Sequence, residues 1–118
     1  MNTIKSPYQT ISDVFEAASS PIRIQILLAL GTEEACVCHL ENLLNLRQAY
    51  ISQHLMVLRE AGLVIDRREG RFIFYRLRDP VLIELVQAVA GLQGVEVPAL
   101  VLSSECDCPK CRRKRNAR

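Results

Sequence analysis

The sequence has no tryptophan and only three phenylalanines and three tyrosines among its 118 residues. Since 49% of the residues are still hydrophobic, aliphatic side chains must fill the core of what is one domain's length of chain. No apolar run approaches the roughly 18 residues that a membrane-spanning helix needs, which excludes an integral membrane protein. The first ten residues show neither an apolar signal segment nor a cleavage site, so we expect a cytoplasmic protein without a membrane partner.

The chain also lacks a strong net charge, which is +2 at pH 7. Its basic residues are nevertheless concentrated in two stretches. Residues 112–118 carry five basic side chains and no acidic one, and residues 67–78 carry five arginines and one glutamate. These two stretches, rather than the net charge, are the candidates for contact with phosphate groups.

The spacing of apolar residues predicts a mainly α fold with a small β-hairpin. A helical period indicates four helices before residue 62, the last two separated by the three-residue turn 45–47. The period then changes to two, and strand-like runs at 63–68 and 72–77 are joined by residues 69–71. A last helix opens at Asp79-Pro80. We therefore expect a domain over 1–97 and a cysteine-rich, basic tail over 98–118 that is an appendage to the core.

This order of elements is typical of a winged helix-turn-helix, in which an exposed helix reads the major groove and the hairpin contacts the DNA backbone. Gln48, Ser52 and Gln53 lie away from the apolar face of the fourth helix, and glutamine can bond adenine with two hydrogen bonds. The alternative is that these side chains only solvate a surface helix. The full set of residues expected to contact double-stranded DNA is Arg47, Gln48, Tyr50, Ser52, Gln53, His54, Arg67, Arg68 and Arg71.

Three segments carry a resemblance to a known family. They are residues 20–23 (Ser-Pro-Ile-Arg), residues 52–64 (Ser-Gln-His-Leu-Met-Val-Leu-Arg-Glu-Ala-Gly-Leu-Val), and residues 68–77, with Arg-Glu-Gly-Arg at the start and Phe-Tyr-Arg-Leu at the end. The sequence resembles the ArsR/SmtB family of bacterial metal-sensing repressors. The resemblance implies a homodimer paired through its first and last helices, which binds operator DNA without metal and releases it on binding metal.

A stripe on the last helix supports such pairing independently. Leu82, Leu85, Val86 and Val89 together exceed what a small monomer needs to bury, and one recognition helix reads only half of a twofold site. We therefore expect a symmetric dimer.

Five cysteines fall in two groups, and clustered thiols in a reducing compartment indicate metal binding or redox chemistry. Cys36 and Cys38 lie where the third helix begins. Inside a regular helix these positions point about 200° apart, but at a helix start the first residue is not yet helical and the sulfurs can converge. The helix dipole there favours the thiolate. The Cys-Val-Cys-x-Leu motif resembles the sensing motif of the family's arsenite and cadmium/lead members, with Glu41 in place of a third cysteine and His39 in place of the usual aspartate.

Two sulfurs do not complete a site for a soft ion, so the second group is the expected source of the others. Three thiolates suit arsenite or lead(II), and four suit cadmium or zinc. Zinc is less favoured, because the last helix has no histidine, and His39 is an extra candidate ligand that the sequence alone does not favour. The expected metal ligands are Cys36, Cys38, Cys106, Cys108 and Cys111. The sequence leaves open which of the three tail cysteines bind the ion, and whether the site lies within one subunit or, as we expect, between the two.

Two other functions compete with metal sensing. A repressor of the same fold could respond to oxidation of a cysteine pair instead of a metal. A thiol-dependent enzyme such as a small arsenate reductase needs an anion-binding loop beside its nucleophile, and neither a glycine-rich nor a Cys-x5-Arg loop is present. We therefore expect no enzymatic activity.

Overall fold

The computed structural model describes residues 5–98 and 108–116. The order of elements is that of a winged helix followed by two further helices. The elements are α1 (Pro7–Ala17), α2 (Pro21–Leu30), β1 (Ala35–Cys36), α3 (Val37–Leu44), α4 (Gln48–Glu60), β2 (Val64–Glu69), β3 (Phe72–Leu77), α5 (Val81–Gln93) and α6 (Pro109–Asn116). The predicted fold class is confirmed.

Serine caps followed by proline set the start of the first two helices. The hydroxyl of Ser6 accepts a hydrogen bond from the backbone N–H of Gln9 at 3.1 Å, and Ser20 does the same for Arg23 at 3.4 Å. The proline after each serine has no N–H to leave unpaired in the first turn. Local sequence therefore places α1 and α2.

The sheet has three antiparallel strands in the order β1-β3-β2. Glu69 pairs with Phe72, so the hairpin loop is Gly70-Arg71 alone, and the predicted three-residue loop was one residue too long. Gly70 adopts φ +60°, a conformation that glycine takes without strain. The two-residue strand β1 was not predicted; it pairs Cys36 with Phe74.

The main core lies between α2, α3, α4 and the sheet. Ile51, Leu55 and Leu58 of α4 are fully buried, as their spacing predicted. Leu82 of α5 is also part of this core and is only 8% exposed. The prediction that Leu82 belongs to the dimer stripe was therefore wrong, since its helical phase turns it toward α2 of its own chain.

The rest of the predicted stripe lies on an exposed apolar face. Phe15 of α1 is 55% exposed and Val89 of α5 is 52% exposed, and both line one depression with Leu85 and Val86. Exposed apolar area of this kind on a small domain marks an interaction surface. Among the described residues, none of the helices is both long and apolar enough to cross a membrane.

A second, smaller buried cluster lies behind the hairpin. It consists of Cys36, Phe74 and Cys108, with Cys38 and Phe72 packed against it. Cys108 is fully buried and directly precedes α6, so the described part of the tail packs on the wing. We expected the tail to be an appendage to the core, because nothing in the sequence indicates that a residue beyond α5 is buried.

Candidate metal centre and nucleic-acid interface

The fourth helix presents the predicted base-reading residues at its amino end. Asn45 closes α3 in the left-handed conformation at φ 54°, and Arg47 then caps α4. Gln48 and Gln53 are exposed and Ser52 is half-buried, so all three are on the side opposite the core. Tyr50 is 44% exposed. This placement is what a recognition helix requires.

His54 lies on the same helix but makes contacts within the protein. Its Nδ1 accepts a hydrogen bond from Nη1 of Arg23 at 3.2 Å, since a guanidinium can only donate. The ring of Tyr50 packs edge-on at 4.6 Å. Burial, and secondly the charge of Arg23, lower the pKa of His54. These contacts connect α4 to α2, and a contact of His54 with DNA stays a prediction.

The arginines of the wing differ in how they are held. Nε of Arg67 lies 3.0 Å from both carboxylate oxygens of Glu34, and its Nη1 lies 3.2 Å from Glu69. The same guanidinium stacks 4.6 Å above the ring of Phe74. The two carboxylates raise the pKa of Arg67. Arg67 is therefore paired with two carboxylates, one of them distant in sequence, and a contact of Arg67 with phosphate stays a prediction.

Arg68 and Arg71 are exposed, as a DNA-contacting wing requires. Arg71 lies at the tip of the hairpin with its guanidinium 5.4 Å from the ring centroid of Phe72. These two arginines remain the wing's candidates for contact with phosphate.

The first cysteine pair adopts the geometry expected at a helix start. Cys36 is the cap residue of α3, with extended backbone angles of φ −83° and ψ 166°, and Cys38 lies in the first turn. The two sulfurs converge and form a disulfide in this structure. In the reduced protein both thiolates would face one point beside the positive end of the α3 dipole.

Cys108 completes a cluster with this pair. The ligand atoms of Cys36, Cys38, His39 and Cys108 all lie within 4.8 Å of one another. Because all four belong to one chain, this cluster does not need a second subunit to bring its ligands together, and a site between two subunits stays a prediction. Residue Cys106 and the side chain of Cys111 lie outside the described part of the chain.

An ion pair also connects the tail to the wing. Nη1 of Arg113 on α6 lies 3.3 Å from a carboxylate oxygen of Glu69 on β2. Hydrogen bonds from Arg67, and secondly from Arg113, lower the pKa of Glu69. Sequence reasoning missed the contacts of Arg67 with Glu34 and Phe74 and the contact of Arg113 with Glu69, because only the folded chain brings these residues together.

The cysteine pair and the reading residues line one groove of about 340 Å³. This shared groove has Cys36 and Cys38 on one side, Gln48 and Ser52 of α4 on another, and Arg71 at the wing. A ligand of the cysteines would thus lie next to side chains that are predicted to face DNA.

Comparison with known proteins agrees with this architecture. Residues 20–66 match the model of the family described as "Bacterial regulatory protein, arsR family". The arsenic resistance transcriptional regulator ArsR1 of Pseudomonas putida is 44% identical over 69 residues, which cover 58% of this chain and 54% of that protein. The chain thus spans about half the length of this and other curated relatives.

Solved structures of similar chains cover more of the fold. HlyU from Vibrio cholerae has a TM-score of 0.67 at 30% identity and covers 75% of this chain and 97% of its own. A Mycobacterium bovis domain, described as a homodimeric winged helix-turn-helix DNA-binding domain, has a TM-score of 0.66 at 26% identity, covering 82% and 99%. The relative from Pseudomonas putida is named as a transcriptional regulator, in agreement with the expectation that this chain is not an enzyme.

Proposed function

The chain belongs to the ArsR family of bacterial regulatory proteins, and from this premise we propose that it is a homodimeric repressor that releases its operator when a soft metal or metalloid ion binds cysteine thiolates. The observation that carries the proposal is the convergence of Cys36, Cys38 and Cys108 within 4.8 Å. Arsenite, cadmium(II) and lead(II) are the candidate ions, and zinc is less favoured.

Operator binding rests on the exposed end of α4. Gln48, Ser52 and Gln53 would contact base edges, while Arg68 and Arg71 would contact phosphates beside the groove. A homodimer would present two such helices to the two halves of a palindromic site. The exposed apolar face of α1 and α5 supports this assembly, as does the homodimeric relative from Mycobacterium bovis.

The cluster fits a soft ion for three reasons. Thiolates are the ligands that such ions prefer. Cys36 and Cys108 are 2% and 0% exposed, so water competes poorly for the ion once it is bound. The helix dipole at the start of α3 favours the charged thiolate form that metal binding needs.

Coupling to DNA follows from the shared groove. An ion held by the cysteines would add charge and fix side chains beside Gln48 and Ser52, the residues proposed to contact the operator. It also holds Cys108, and thereby α6, on the wing. Release requires only that the ion bind the DNA-free arrangement more tightly, and about 1–3 kcal/mol per site, or 5- to 150-fold in affinity, is typical.

The test uses the reduced full-length protein and an operator selected by that protein from a random duplex library. Titration with arsenite, cadmium or lead is followed by sulfur-to-metal absorbance and, in parallel, by the anisotropy of labelled operator. We expect absorbance and DNA release to rise together for at least one ion. Absorbance without release would contradict the regulatory part of the proposal.

Serine substitutions then assign the ligands. The double variant Cys36→Ser, Cys38→Ser and the single variant Cys108→Ser should keep operator affinity but need a metal concentration at least about tenfold higher for release. Cys106→Ser and Cys111→Ser decide whether either residue is a further ligand. If the double variant releases DNA at the wild-type concentration, the proposed site is wrong.

A second candidate function rests on the disulfide between Cys36 and Cys38. A hydroperoxide can accept two electrons and two protons from the two thiols, giving the disulfide, an alcohol and water. Such a repressor would change its operator affinity on peroxide treatment in the presence of a metal chelator. An unchanged affinity under those conditions excludes redox sensing.

A further inference from the structure

His39 is the only polar or charged side chain classed as buried in the part of the chain that the structure describes, with 6% of its surface exposed. It follows Cys38 in the first turn of α3, and its Nδ1 lies 3.4 Å from Sγ of Cys36. Burying an imidazole has a free-energy cost unless its polar atoms have partners. Here Nδ1 has its partner within the cysteine cluster, so the ring is held by the same side chains that would bind an ion.

The distances fit a four-coordinate ion. With zinc–sulfur and zinc–nitrogen bonds of about 2.3 and 2.0–2.1 Å, a tetrahedral zinc site places sulfur and nitrogen about 3.6 Å apart and two sulfurs about 3.8 Å apart. The pair formed by Cys36 Sγ and His39 Nδ1 already has nearly this separation, at 3.4 Å. The ligand atoms of the complete set with Cys38 and Cys108 lie within 4.8 Å of one another, so after reduction of the Cys36–Cys38 disulfide all four are close enough to surround one ion.

We propose that Nδ1 of His39 is the fourth ligand of the site and that it makes the site selective for a tetrahedral thiophilic dication, such as cadmium(II) or zinc(II), over arsenite. This inference rests on the proposed function, because it takes the three cysteines as the other ligands.

Coordination chemistry gives the direction of the selectivity. A d10 dication has no preferred geometry from its d electrons and accepts three sulfurs and one nitrogen as readily as other tetrahedral sets. Arsenic(III) keeps a lone pair and is satisfied by three thiolates in a pyramid, so an imidazole adds little to its binding. His39 should therefore strengthen binding of the dication and leave arsenite binding almost unchanged.

The experiment compares ions on the same variants. Reduced full-length protein is titrated without oxygen with cadmium(II), cobalt(II) and arsenite, and sulfur-to-metal absorbance gives each affinity. His39→Gln should weaken cadmium binding by about tenfold or more, change the visible spectrum of bound cobalt, and leave arsenite affinity within about twofold. The matched control is His54→Gln, since His54 is the only other histidine in the chain. His54→Gln should change the affinity for neither cadmium(II) nor arsenite.

A second variant keeps the test decisive if His39→Gln folds poorly. His39→Cys supplies a fourth thiolate, so it should retain tight cadmium binding with a sulfur-to-cadmium absorbance per ion higher by about one third, as expected when four thiolates replace three thiolates and one imidazole. Equal loss of cadmium and arsenite affinity in His39→Gln, or no loss of either, would overturn the inference and leave the three-cysteine site intact. If the wild type shows no sulfur-to-metal absorbance with any ion, the proposed function fails, and this inference fails with it.

Discussion

Replacement of Phe15 by alanine tests the proposed dimer at a single residue. Phe15 lies on α1 beside Leu85 and Val89 of α5, and 55% of its surface is exposed in the single chain. If this face pairs with a second copy, the ring becomes buried in the dimer, and the substitution removes it from both copies. Phe15→Ala should therefore weaken dimerisation without unfolding the protomer.

The magnitude follows from the exposed fraction. Full burial of a phenylalanine is favourable by about 1.5–3 kcal/mol, so burying the remaining 55% contributes about 0.8–1.7 kcal/mol in each copy. Twofold symmetry doubles this to about 1.7–3.3 kcal/mol, which corresponds to a dissociation constant raised about 16- to 260-fold.

Sedimentation equilibrium over a range of protein concentrations measures that constant. Met56→Ala is the matched control, because Met56 is 53% exposed but lies on α4, outside the proposed interface. The control should dimerise like the wild type. Equal dissociation constants for Phe15→Ala and the wild type would show that α1 and α5 do not form the interface.

Three further predictions concern DNA binding, stability and pH. Gln48→Ala should cost roughly 1–3 kcal/mol of binding free energy on the selected operator and little on random DNA, and equal losses on both would exclude base readout by Gln48. Arg68→Ala should weaken binding to both DNAs and lower the slope of log affinity against log salt concentration by about 1. Phe74→Ala should lower the free energy of unfolding, measured by urea titration, by about 3–5 kcal/mol, because the ring of Phe74 is fully buried. Phe72→Ala is the comparison, because Phe72 is only half-buried, and a larger loss for Phe72→Ala than for Phe74→Ala would contradict the prediction. Because the pKa of His54 is lowered on folding, the unfolded chain binds more protons, and stability should fall as pH drops through the ordinary histidine value of about 6.5; His54→Gln should flatten this dependence.

The elements that sequence predicted well are those whose signal is local. Ile51, Leu55 and Leu58 repeat at helical spacing and are all fully buried, and the adjacent residues Ser20 and Pro21 set the start of α2. The strand β1 has only two residues, which is too short for any period, and it exists because β3 offers it an edge. Local patterns therefore sufficed for the helices and the hairpin but not for the third strand.

The candidate site shows the same limit. The convergence of Cys36 and Cys38 depends on one helix start and was predictable. The position of Cys108 depends on how the tail returns to the wing, about 70 residues further along the chain, and the pairing of Arg67 with Glu34 joins residues 33 apart. The sequence alone locates a cluster of arginines in the wing, but only the fold shows that one of them, Arg67, is paired with the carboxylates of Glu34 and Glu69.

If the proposed function holds, the location of the cysteines would let a small chain couple ion binding to DNA binding over a short distance. Cys36 belongs to the strand that pairs with the wing, and it is also the cap of α3, the helix that precedes the recognition helix. Phe74 contacts Cys36 in the buried cluster, and its ring also stacks with the guanidinium of Arg67. An ion bound here would act on the first helix of the helix-turn-helix and on the wing at once. Both elements must fit the operator at the same time. A small displacement of either one would therefore make the arrangement that binds the ion best differ from the arrangement that binds DNA best, which is the thermodynamic requirement for release.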